Sequence, residues 1–281
     1  MTDAPDFLTA LPDRAVIRIT GADARSFLQR VITRGPEDLP DGGAIFSALL
    51  TPQGKILADF VIFDDGEGGL YLDTPASEAE ALAKRLAMYR LRAKAEIAID
   101  AELAVAAARG EGEAELKTVA HAIAPAPRSA ALGVRAIVTA GGPEDVDAYD
   151  AARIAAGVPE FGRDYGAGEV FSTDVNHDRL GGIDYRKGCF VGQEVASRMH
   201  RKGGVRKRTL RFALEGGSPE AGAAVTAGEK KVGEVTSAAD GLALALVRVD
   251  RLAKAVEDGG AITLGEAAAR LLDDLDAMTA A

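Results

Sequence analysis

The sequence predicts an α+β protein that ends in a small β-barrel or sandwich. Upstream of Val205, helical spacing and strand-like alternation are mixed. Downstream of it, short apolar runs recur between glycine turns: TLRFAL, AAVTA, KKVGEVTSA, LALALVRV and AITL. A chain of 281 residues is also long enough for two or three cores. The shifts in pattern divide it into an N-terminal part over 1–100, a second α+β part over 101–204 and the barrel over 205–281.

The elements follow in order. RAVIRI (14–19) reads as a strand, and Thr20 with Asp23 as a reciprocal helix cap. The helix is expected to run to about Thr33, with Phe27, Leu28, Val31 and Ile32 on its apolar face. In AIFSALLTPQGKILADFVIF two apolar runs flank Thr51-Pro52-Gln53-Gly54, the signature of a β-hairpin. DDGEGG is a loop, LYLD a strand, and residues 76–91 a helix on Leu82, Leu86 and Tyr89. RAKAEIAI alternates as a half-buried strand does. Residues 101–140 are alanine-rich with weak periods, although VRAIVTA reads as a strand and Pro125 and Pro127 mark a loop. Residues 143–156 look helical, 157–188 form a long loop of the functional kind, and a short helix starts near Gly192. The tail GEAAARLLDDLDAMTAA reads as a terminal helix.

Composition narrows the chemistry. The single cysteine excludes an intramolecular disulfide and any zinc or iron–sulfur site held by several cysteines of one chain. His121, His177 and His200 lie far apart, which argues against a metalloenzyme. No apolar run is long enough to span a membrane. The acidic N-terminus lacks the apolar stretch of a secretory signal, so a cytoplasmic location is expected. A net charge of −10 argues against nonspecific nucleic-acid binding and makes any local basic cluster informative.

Three clusters carry chemistry. KGCFVGQE (187–194) holds the only cysteine, Cys189, between Gly188 and Gly192. A free cysteine is ordinarily a small buried apolar residue. Here a helix start just downstream, with Arg186 and Lys187 upstream, favours a thiolate. RMHRKGGVRKR (198–208) brings Arg198, Arg201, Lys202 and Arg206 together with Lys207, Arg208 and His200. It is either a solvated face or a site for a phosphate, a nucleic-acid backbone or the carboxylates of a small ligand. The long loop carries Glu160, Asp164, Glu169, Asp174, Asn176, Asp178 and Asp184. Each alone reads as a turn residue, yet a buried carboxylate among them could accept the paired N–H edge of a pterin or guanine.

Taken together these stretches resemble the YgfZ family. KGCFVGQE is similar to its signature K-G-C-[YF]-x-G-Q-E. The basic run, ITGADARSFLQ, SALLTPQGKILADF, YRLRAKAEI and RIAAGVPEFGRDY match family segments in the same order, over about residues 14 to 250. The resemblance implies a three-part, aminomethyltransferase-like folate-binding fold with a C-terminal small β-barrel. It implies tetrahydrofolate as ligand, and a role in assembling or repairing 4Fe–4S proteins, including tRNA-modifying enzymes. Partners would be iron–sulfur clients or carriers, with a monomeric chain and no membrane. Cys189 would be the reactive residue, with Lys187, Gly188, Gly192, Gln193 and Glu194 completing the motif. The family's P-L-E-x-N-L-D loop corresponds here to STDVNHD, so Asp174, Asn176 and Asp178 take the folate-facing places, with the proline lost and the glutamate shortened. Related aminomethyltransferases carry a catalytic aspartate after the strand matching LYLD. This chain has Thr74-Pro75-Ala76-Ser77-Glu78 there, which disfavours aminomethyl transfer and ordinary turnover. A folate-dependent one-carbon transferase and a tRNA-binding accessory protein are the rival readings.

Overall fold

A computed structural model of the protein describes residues 6–37, 39–201 and 205–279. Lys202 of the basic run therefore lies outside the described residues. The chain opens with β1 (Phe7–Ala10), β2 (Arg14–Thr20), α1 (Ala24–Gln29), β3 (Ala44–Leu50), β4 (Ile56–Asp64) and β5 (Leu70–Pro75). It continues through α2 (Ala79–Arg90) and β6 (Glu96–Asp100). These strands pair antiparallel in the order β3-β4-β5-β2-β6. Apart from the exposed edge strand β6, the sheet is buried on both faces, which explains its near-continuous apolar runs. Ile17, Ile19, Phe60 and Ile62 pack on α1 and α2 through Phe27, Leu28, Leu82 and Leu86. Their neighbours Val16, Val61 and Phe63 face a second sheet.

That second sheet is built from β1 with β7 (Leu103–Arg109), β8 (Ala120–Pro125) and β9 (Val134–Thr139), in the order β1-β7-β9-β8. α3 (Gly112–Val119) covers its far face, and α4 (Asp147–Ala155) adds Tyr149 and Ala152 to the core between the sheets. The strand β7 reads LAVAAAR. Val105 and Ala107 face the first sheet, whereas Ala106 and Ala108 face the cluster under α3. Alanine on both faces leaves no period of two to read.

After the long loop come α5 (Gln193–Arg201) and β10 (Lys207–Leu214), then β11 (Ala224–Ala227), β12 (Lys230–Ala239) and β13 (Leu242–Arg248). α6 (Val249–Glu257), β14 (Ile262–Leu264), β15 (Ala267–Leu271) and α7 (Leu275–Thr279) complete the chain. The six strands close as β10-β13-β12-β11-β14-β15, with β15 pairing back to β10. The expected C-terminal barrel is thus present. Among the described residues no helix is long and apolar enough to cross a membrane.

Three local expectations change. Thr20 stays in β2, and Asp23 forms no side-chain cap. A left-handed Gly21 (φ 105°) turns the Asp23 carboxylate onto the Lys94 N–H instead, at 2.8 Å. α1 stops at Gln29 rather than Thr33, because the next residues bond outward: the Val31 carbonyl accepts from Val191, and the Thr33 N–H donates to Ala48. The tail is not one helix. AAARL becomes β15, since closing the barrel outweighs alanine's helical preference.

Candidate functional site

The KGCFVGQE segment is a strap pinned at both ends. Lys187 donates from Nζ to the Gln29 carbonyl and lies 5.3 Å from the centroid of the Phe190 ring. Burial holds its pKa below the ordinary lysine value, opposed by Asp184 and Glu37. Phe190 is buried, and the Val191 N–H donates to Val31 at 3.3 Å. On the other side Gln193 donates from Nε2 to the Gly188 carbonyl at 2.8 Å, closing the turn over Cys189. Gly188 (φ 99°) makes this turn with an exposed thiol between its anchors. Gly192 is required for another reason. A Cβ there would sit 2.5 Å from the Thr51 carbonyl, so the β3–β4 hairpin tip seats directly against the start of α5. Lys187, Gly188, Gly192 and Gln193 thus hold the strap in shape. Glu194 is exposed and lines a surface cleft with Arg198 and Arg201.

The basic run divides. Arg198, Arg206 and Lys207 line a cleft of about 480 Å³ with Lys55 and Arg248. Arg201 faces the Glu194 cleft instead. Arg208 turns inward. It grips Asp178 with two nitrogens at 2.6 and 2.8 Å and donates to the Thr173 carbonyl at 2.9 Å. The run is therefore not a continuous basic face. Its cleft adjoins a second one of about 660 Å³ against the barrel, and the two share Glu169, Asp174, Lys207 and Arg248. Cys189 lines neither of these two clefts.

The loop residues also separate. Asp174 is 8 % exposed and lines both clefts. One of its oxygens accepts the Phe171 N–H at 3.0 Å. Burial raises its pKa, and the Phe171 bond with Lys207 and Lys55 offsets this only in part. Asn176 and Asp178 line neither cleft. Asn176, left-handed at φ 62°, donates to the Thr209 carbonyl at 2.7 Å, and Asp178 is held by Arg208. Both side chains join the loop to the barrel.

Glu160 stands out from the acidic loop residues. It is buried among Arg128, Arg135 and Arg14, and accepts from the Tyr149 hydroxyl at 2.7 Å. Arg14 and Arg135 also hold Asp73, at 2.6 and 2.7 Å. Nearby, Tyr165 donates to Asp59, and His177 Nε2 lies 3.1 Å from the Tyr165 oxygen. Burial pushes the pKa of Glu160 up, yet Arg128, Arg135, Arg14 and Arg153 together hold it well below the usual carboxylate range. None of these groups was grouped by sequence spacing. The available signal was an arginine set among apolar strand residues, in RAVIRI and VRAIVTA. The LYLD carboxylate, Asp73, is thus fixed between two guanidiniums, fully buried.

Comparison with known proteins places these features. Residues 206–273 match the family described as CAF17, C-terminal beta-barrel domain. The chain is 31% identical over 249 residues to the iron-sulfur cluster assembly factor IBA57 homolog, mitochondrial, of Neurospora crassa, covering 78% of this chain and 56% of that protein. It is 29% identical over 277 residues to the mitochondrial iron-sulfur cluster assembly factor IBA57 of Mus musculus, covering 86% and 77%. The chain thus spans little more than half the length of the fungal relative. The crystal structure of the glycine cleavage system aminomethyltransferase T from Bartonella henselae superposes with a TM-score of 0.75 at 19% identity, over 98% of this chain and 86% of that one. At that identity the likeness shows the fold. The cytoplasmic location expected from the N-terminus is overturned, because these sequence relatives are named mitochondrial. The chain is a homologue of the IBA57-type iron–sulfur cluster assembly factors, with a CAF17-type C-terminal barrel on an aminomethyltransferase-like fold.

Proposed function

We propose that this chain assists the assembly or repair of 4Fe–4S proteins, with Cys189 as its working group and tetrahydrofolate as its ligand. The observation that carries the reading is the presentation of Cys189. The chain's only thiol is exposed, on a turn anchored by Lys187, Phe190 and Gln193. Clusters are held by several thiolates. A single cysteine per chain therefore supplies one ligand, and the others come from the client or carrier that holds the cluster. On coordinating iron the thiol gives up its proton.

The cleft against the barrel fits a folate in size and chemistry. About 660 Å³ is within the range of small-molecule sites. Asp174 has an oxygen left to accept a pterin N–H edge, and Lys207 offers a cation to a carboxylate of a glutamate tail, whereas Arg248 on the same wall is held by Asp250. Anaerobic calorimetric titration with tetrahydrofolate is expected to give saturable one-to-one binding. Asp174→Asn should weaken it roughly ten-fold or more, the loss expected of one charge-assisted contact. Absence of binding at millimolar ligand would remove folate from the reading.

The thiol is tested separately. In cells lacking the native gene, Cys189→Ala is expected to leave 4Fe–4S enzyme activity at the level of the empty background. The purified variant should melt within about 1 °C of the parent, because an exposed side chain contributes little to stability. Full support of those enzymes by Cys189→Ala would remove the assigned role.

A further inference from the structure

Beside the Cys189 strap lies a groove that none of the described residues fills. It is about 820 Å³, between the end of α1 and the end of α2, and includes Phe27, Val31, Tyr89, Leu91 and Val191 in its walls. Val191 is two residues from Cys189, so the two Cα atoms are at most about 7 Å apart. The strap and the groove wall are one piece, because the Val191 N–H donates to Val31 and Lys187 to Gln29.

Two observations mark this groove as unfinished. Leu91, where α2 ends, is held at φ 47° and ψ −105° and is 87 % exposed. A leucine rarely adopts a positive φ, and here it does so while showing its side chain to water. Met88, in the last turn of α2 and outside the groove lining, is 63 % exposed. The second observation is charge. Arg30, Arg90 and Arg92 rim the groove. Arg90 donates to the Ala95 carbonyl, but Arg30 and Arg92 are exposed and make no ion pair or side-chain hydrogen bond among the described residues. The one acidic residue of the rim, Asp23, is occupied by the Lys94 N–H. A local surplus of unpaired cations in a chain of net charge −10 selects a negatively charged partner surface.

We infer that this groove is the docking site for an acidic protein segment that seats an apolar side chain against Leu91, and that this segment belongs to the protein sharing a cluster with Cys189. The inference rests on the reading of Cys189 given above. Docking here brings the partner's own cluster ligands within a few residues' reach of the thiol, with Leu91 as the apolar anchor and Arg30 and Arg92 as the steering charges.

The test uses the full chain in cells lacking the native gene, with 4Fe–4S enzyme activity as readout beside purified-protein melting. Leu91→Gly relieves the backbone and removes the anchor. It is expected to melt at or above the parent temperature while lowering the supported activity about ten-fold or more, as loss of an interface anchor does. A merely structural Leu91 could not lower activity while holding stability. Arg30→Glu with Arg92→Glu should lower activity likewise, and second-site revertants should exchange an acidic for a basic residue in a cluster-binding protein. If Cys189→Ala abolishes activity while the folded groove variants retain it, the docking site is overturned and the role of the thiol stands. If Cys189→Ala is harmless while the groove variants fail, the groove binds a partner for another purpose and the shared-cluster assignment is overturned. A parent dimer in sedimentation that dissociates on Leu91→Asp would overturn the inference in favour of self-association.

Discussion

Glu160→Gln is expected to cost the folded protein about 3–5 kcal/mol, as removal of one partner from a buried ion network does. The three guanidiniums around it, Arg14, Arg128 and Arg135, share three carboxylates, Asp59, Asp73 and Glu160, and every one of these side chains is buried. Glutamine keeps the volume but leaves the cluster with an uncompensated positive charge. Its amide also sets an N–H donor toward Arg128 and the Tyr149 hydroxyl, which both donate to Glu160 now. Urea unfolding should show a lower midpoint at unchanged slope. The same network sets the acid limit. Asp59, Asp73 and Glu160 all titrate below the usual carboxylate range, because the neighbouring arginines, with His177 Nε2 3.6 Å from Asp59, outweigh burial. Their contribution is therefore complete above the ordinary carboxylate pKa of about 4 and is lost as pH falls through the lowered folded values. Unfolding free energy should be flat near neutrality and drop on the acid side, less steeply in Glu160→Gln. An acid limb of equal slope in parent and variant would show that the network does not control it.

What the sequence revealed, and what it hid, follows from where each signal is encoded. The hairpin was legible because Pro52 and Gly54 punctuate two apolar runs. The barrel was legible because short runs and glycine turns repeat. β7 was not, since alanine serves both of its faces. β15 was read as helix because AAARL prefers it in isolation, and only the partners on β10 and β14 make it a strand. The same contrast holds for the site. Glycines at 188 and 192 announce a special backbone around Cys189, and the structure gives both positive φ. The buried network has no local signature. Arg14 meets Asp73, 59 residues away, across the paired strands β2 and β5, and Arg135, 62 residues away, reaches it because the two sheets pack face to face. The basic run illustrates the limit of composition. Arg206 and Arg208 look alike in sequence, yet Arg206 lies before β10 and lines a cleft, whereas Arg208 inside the strand is buried on Asp178.

Replacing Arg208 with methionine is expected to be as damaging as the loss of Glu160, and to reach the two clefts walled by Asp174 as well. The Arg208 side chain is fully buried where the loop meets the barrel. Besides Asp178 and the Thr173 carbonyl it donates to the Met278 carbonyl at 3.0 Å, tying α7 to the same joint. Asp178 is itself nearly buried, so Arg208→Met leaves a carboxylate without its partner, at about 3–5 kcal/mol. Next to it the Thr209 N–H donates to the Asp174 carbonyl at 2.8 Å, so this joint also fixes the residue that walls both clefts. The charge can be removed from both sides. Arg208→Met with Asp178→Leu deletes the pair together, and the double variant should recover most of the lost stability, because an apolar pair does not leave a buried charge behind. Tetrahydrofolate affinity then separates two roles for the joint. If it only holds the loop down, the double variant regains affinity along with its urea midpoint. If the guanidinium also sets the position of Asp174 through Thr173 and Thr209, stability returns and affinity does not.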